Sequence, residues 1–222
     1  MADIFQEVQE DLRRDRLKAF WDRYGTALLV AAAIVVLGVG GWRGYQYMEA
    51  RASAQAGDQY QAASRLSEEG KSDEARKAFA EIGTNGPAGY KTLARLREAD
   101  EIAKTDKAGA LKLYQAIADD SSADAMLRDA ARIRGGYTAV DVGSVADVRK
   151  LVEPLAANDG AWKSLAREAL GLAAYKAGDM AEARRQFEAV VSDMSAVGNV
   201  RQRVDLMLAV LPAPAPADKP AN

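Results

Sequence analysis

The chain contains no cysteine and no histidine. Without cysteine there is no disulfide framework, no thiolate metal site and no thiol nucleophile. Without histidine the commonest general base and the commonest transition-metal ligand are missing too. Aromatic residues make up only 7% of the sequence, and between residues 50 and 211 proline occurs only as Pro87 and Pro154. No alternating β-branched segment stands out, and no glycine-rich phosphate loop follows a strand. Net charge is -2 and no basic patch gathers downstream of residue 43, which argues against nucleic acid as a partner. An enzyme, a cofactor and a metal site are therefore not expected. Carboxylates such as Asp179, Glu182 and Glu188 fall where helices ordinarily carry solvated charge.

What is present begins with YGTALLVAAAIVVLGVGGW, residues 24–42, an uncharged run bracketed by Arg23 and Arg43. As a helix it extends about 28 Å, close to the hydrocarbon thickness of a bilayer. Trp21 and Tyr24 flank one end, and Trp42, Tyr45 and Tyr47 flank the other, like two interfacial belts. A cleaved signal peptide fits poorly, because the preceding segment is long and mixed in charge. The expectation is a transmembrane helix at 24–42. Arg13, Arg14, Arg16, Lys18 and Arg23 precede it, against Arg43 and Arg51 after it, so the N-terminus is expected on the cytoplasmic side. The expected placement is a single pass through a bacterial inner membrane, with lipid as a partner and the C-terminal domain in the periplasm. Residues 1–23 then form a cytoplasmic amphipathic segment, 43–211 the exported domain, and 212–222 a disordered Pro/Ala tail.

The exported part reads as helix nearly throughout and carries an internal repeat. In ALGLAAYKAGDMAEARRQFEAVV, residues 169–191, Gly171 and Ala183 let two helices approach closely and Gly178 turns the chain between them. Phe187 and Val190 fill the remaining space. Gly70, Ala75, Phe79 and Ile82 repeat those offsets. Weaker copies lie at Thr105, Ala110, Tyr114, Ile117 and at Gly136, Gly143, Val148, Val152, Leu155. The spacing matches the tetratricopeptide (TPR) period. The predicted fold is all-α: one N-terminal transmembrane helix, then a TPR-like solenoid of about four helix pairs. Residues 197–211 supply a helix that caps the last apolar face.

The whole plan resembles the YfgM-type ancillary subunits of the bacterial Sec translocon. The resemblance is carried by TALLVAAAIVVLGVGGWR, AGYKTLARLREAD and GAWKSLAREALGLAAYKAGDMAEARRQFEAVV. It implies association with Sec translocon subunits and with a membrane-anchored periplasmic prolyl isomerase-type chaperone. It also implies a role in receiving unfolded exported proteins. An adaptor of another cell-envelope assembly complex is the alternative.

In the TPR register the first helix of each pair lines a concave groove. Its inward positions hold Tyr60, Ser64 and Ser67 in the first repeat, Arg95, Ala99 and Ile102 in the second, Ile133, Tyr137 and Val140 in the third, and Glu168, Leu172 and Tyr175 in the fourth. The Lys and Asn set that clamps a C-terminal carboxylate is missing. A mostly apolar, Tyr-bearing groove suits loose contact with unfolded segments or a partner helix. The competing reading places these aromatics in the core.

Overall fold

The structure, a computed structural model, describes residues 3–212. Its described residues form nine α-helices: α1 Asp3–Glu68, α2 Ser72–Asn85, α3 Ala88–Ala103, α4 Lys107–Ala118, α5 Ala125–Val142, α6 Val145–Ala157, α7 Lys163–Lys176, α8 Met180–Val191 and α9 Gly198–Val210. They fall into two compact units, Met1–Ala52 and Ser53–Asn222. The tail expected to be disordered lies, from residue 213 on, outside the described residues. So do most side chains of the segment 1–23.

The first unit corrects the sequence reading. Among the described residues no helix is long and apolar enough to cross a membrane. That overturns the expected transmembrane helix at 24–42. The inner-membrane placement, the cytoplasmic N-terminus, the periplasmic domain and the bilayer partner fall with it. The apolar run exists, but as one stretch of α1, a helix of 66 residues with charged segments on either side. Much of the run is alanine and glycine (Gly25, Ala27, Gly38, Gly40 and Gly41 among them), whose small side chains contribute little apolar surface each. The larger side chains from Leu29 to Met48, including Ile34, Leu37 and Trp42, are exposed.

The second unit is the repeat domain. Residues 53–68 of α1 pack with α2, and α3 with α4, α5 with α6 and α7 with α8 follow as pairs. α9 has no partner helix after it among the described residues and lies against α7 and α8. The turns explain why the chain folds back where it does. Gly70 and Gly178 adopt φ of +77° and +82°, a region that costs other residues steric strain. Each closes its helix with a 6→1 bond, Lys71 N–H to Leu66 O and Asp179 N–H to Ala174 O, both 2.9 Å. The two middle turns lack a left-handed glycine and are set by caps instead. Asp106 accepts from Gly109 N–H, while Ser144 and Asp147 form a reciprocal capping box.

Close packing of each pair rests on the small residues the repeat pattern singled out. A Cβ at Gly171 would lie 2.6 Å from Cδ1 of Phe187, and one at Gly136 would overlap Cγ1 of Val152. Ala75, Phe79, Ala110, Ile117, Val152, Ala183, Phe187 and Val190 have no exposed surface. Tyr114 and Val148, the matching residues of the weaker copies, are buried as well. The helical repeat register read from the sequence is the one the domain adopts.

Candidate protein-binding face

The first helices of successive pairs touch one another, α3 with α5, α5 with α7 and α7 with α9. This row carries the residues expected to line a groove, and all of Tyr60, Arg95, Ile102, Tyr137, Leu172 and Tyr175 are half-buried. Tyr60 meets Phe79 edge-on, with ring centroids 5.4 Å apart, and Tyr90 at 6.0 Å. Ile102 and Tyr137 pack on the central core cluster, Leu172 and Tyr175 on the cluster around Phe187, Val200 and Val204. Arg95 does not join them. Its guanidinium pairs with Asp120 at 2.8 Å, and its stem crosses Gly83 of α2.

Two other expected groove positions, Ala99 and Ile133, are buried in the central core, and Glu168, only 3% exposed, is the centre of a polar network. Arg203 of α9 grips its two carboxylate oxygens through Nε (2.7 Å) and Nη2 (2.6 Å). The Tyr137 hydroxyl of α5 donates to the same carboxylate at 2.5 Å. Burial, and then this bond to an anion, push the Tyr137 hydroxyl well above its ordinary range. The Glu168 carboxylate in turn raises the Arg203 guanidinium above its ordinary range.

A related acid–arginine–tyrosine cluster lies two repeats earlier. Asp100 of α3 accepts from Tyr114 Oη at 2.6 Å and from Arg134 Nη1 of α5 at 2.5 Å. Burial is again the main cause that raises Tyr114, seconded by Asp100. Glu101, 4% exposed, accepts from the Ser67 hydroxyl of α1 and from Lys104 Nζ at 2.6 Å. Burial alone would raise its carboxyl, but bonds from Lys104, Ser67 and Ser72 outweigh that and hold it below 4.5. Lys107 and Asp141 pair at 2.5 Å. The pairs Ser67–Glu101, Asp100–Arg134 and Lys107–Asp141 are 34 residues apart and Glu168–Arg203 is 35, one repeat period. The sequence reading did not find this ladder. The available signal was opposite charges one period apart on helices already placed in register.

One carboxylate in this row has no compensation of that kind. Glu98 of α3 is raised above 4.5 by burial, which Arg76 and Arg95 only partly offset. An acid whose folded pKa is raised makes the native state less stable above that pKa. Glu98→Gln is therefore expected to raise the melting temperature near pH 7. The advantage should shrink as pH falls through the raised value toward 4.5. Thermal melts of both proteins across pH 4–7 check it; a lower melting temperature for the variant at pH 7 would contradict it.

Chemically the face offers half-buried aromatic and aliphatic surface whose polar neighbours are bonded to each other. Among the described residues no acidic group of three or more is arranged to hold a metal ion. A family model described as a tetratricopeptide repeat-like domain matches residues 18–212. No curated protein and no solved structure matches. Repeats of this kind serve in general as non-catalytic scaffolds for contacts between proteins. The chain belongs to the tetratricopeptide repeat-like domain family, and it is built as a scaffold for protein–protein interaction.

Proposed function

We propose that this scaffold works with the Sec translocon, holding extended segments of newly translocated proteins and passing them to an isomerase-type chaperone. The observation that supports it is the row of Tyr60, Ile102, Tyr137, Leu172 and Tyr175. They run along successive first helices of the repeat and keep part of each side chain accessible. Aromatic and aliphatic surface of this sort gives sequence-tolerant contact with unfolded chain, because its attraction is non-directional. The resemblance of residues 26–43, 88–100 and 160–191 to YfgM-type subunits supplies the choice of partner. Catalysis has no part in it.

A photo-crosslinking residue placed at Tyr175 and, separately, at Tyr60 in the full chain tests the reading in cells. Adducts with translocon subunits, the isomerase-type chaperone or nascent polypeptides are the expected result. Adducts confined to another cell-envelope assembly complex would replace this reading with the adaptor reading. Replacing Tyr60 and Tyr175 together by serine should reduce the adducts formed from a crosslinker at Leu172, with helicity unchanged. Undiminished adducts would remove the row from the binding surface.

A further inference from the structure

The junction between the third and fourth repeats differs from the first. At the first, Lys104 of the segment following α3 stands two residues before the capping residue Asp106. Its Nζ reaches across to Ser72 Oγ at 3.2 Å and Ser67 Oγ at 3.5 Å. Two residues before the corresponding cap Asp179 stands Ala177, which has no side chain to reach with. A cavity of about 230 Å³ is open there. α5 supplies Ala139 and Val140 to its wall, α6 supplies Val145 and Val148, and α7 supplies Ala173, with Ala177 at the rim.

Lys176 is the cation at this cavity. Its Nζ donates to Val140 O and Asp141 O, each at 2.7 Å. The nearby Asp141 carboxylate is already taken by Lys107. Among the described residues no carboxylate lies within ion-pair distance of Lys176. An ammonium group has three donors; two serve carbonyls in the last turn of α5, and one remains for an acceptor beside the apolar hollow. The volume falls below the ~300–1,000 Å³ of ordinary small-molecule pockets, which points to a single side chain as the occupant.

We propose that this cavity receives one leucine-sized aliphatic side chain of an extended polypeptide, with an adjoining acidic side chain held by Lys176. The proposal rests on the scaffold reading and specifies which element of a bound chain is recognised. The apolar wall selects the aliphatic group, and the remaining donor of Lys176 selects the acid next to it.

The probe is a fluorescein-labelled hexapeptide with Leu-Glu at its centre, titrated against the full chain by anisotropy. Saturable binding is expected. Exchanging the peptide leucine for serine should weaken it at least about tenfold, as should Ala177→Leu in the protein, which fills the rim. Exchanging the peptide glutamate for glutamine, or Lys176→Met, should weaken it several-fold and remove its salt dependence. Circular dichroism accompanies each variant, and Val145→Phe replaces Ala177→Leu if the latter loses helicity. Equal binding of the leucine and serine peptides, no saturation, or unchanged binding by the filled cavity would each overturn the proposal. If the cavity fails this way while crosslinks at Tyr60 and Tyr175 persist, the scaffold reading stands without it. If those crosslinks are absent as well, both fall.

Discussion

Phe187→Ala should lower the unfolding free energy of the chain by about 3–5 kcal/mol. The ring has no exposed surface and sits among Ala174, Ala183, Val190, Val200 and Val204. What sets the size of the loss is how far neighbours can move in to fill the space. Here they have little freedom. α7 already meets the ring through Gly171, where even a methyl group would clash. α9 leans on the other side through Val200 and Val204. The hollow therefore stays largely open, and the upper half of the range is expected. Urea denaturation of the full chain measures it. Phe79→Ala, at the same offset in the first repeat and equally buried, should show a comparable loss. A change below about 1 kcal/mol for Phe187→Ala, the scale of an ordinary surface substitution or little more, would mean the ring is not the keystone of its helix pair.

Glu168→Ala acts through a different physical cause. It strips the shared acceptor from the Tyr137 hydroxyl and from both bonded nitrogens of Arg203. Leaving a buried polar group without its partner costs about 1–3 kcal/mol. The cost falls mainly on Tyr137, whose hydroxyl keeps only the Leu165 carbonyl at 3.4 Å, because Arg203 is about half exposed (48%) and can turn to water. The loss should be concentrated on the docking of α9, since Arg203 is its polar tie to α7. Hydrogen exchange in residues 198–210 should accelerate more than exchange in residues 72–103. Uniform acceleration along the chain, or none, would contradict a local tie. Glu168→Gln keeps an acceptor for both partners and should recover much of the loss.

The helix pairs were legible because their logic is local. Ala75 with Phe79, Gly171 with Phe187, and the left-handed glycines at 70 and 178 are all encoded within one pair of helices. A fixed spacing is enough to find them. The middle turns carried a weaker signal, since Asp106 and Ser144 do with side-chain caps what glycine does elsewhere. The network around Glu168 was not legible. Its three members come from α5, α7 and α9, and their meeting depends on the rotation between helices that the sequence pattern does not state. Glu168 looked like a groove position and is instead covered by Arg203. Arg95, another expected groove position, is half-buried and pairs with Asp120. The apolar run at 24–42 misled in a simpler way. Its length, freedom from charge and flanking aromatics all suit a span, whereas the many small residues in the run lower its apolar surface.

The ladder of ties spaced by one period has a consequence for how the domain comes apart. Every such tie, Ser67 to Glu101, Asp100 to Arg134, Lys107 to Asp141 and Glu168 to Arg203, joins a repeat only to the next one. Cooperativity is then passed from neighbour to neighbour, as in a one-dimensional chain of coupled units. Among the described residues the first pair and the α9 end of the repeat domain each have a repeat on one side only, so the ends fray first, and the unzipping front travels inward one helix pair at a time. Pulled by its C-terminus, the domain would yield in a series of small steps of similar length rather than in a single rupture.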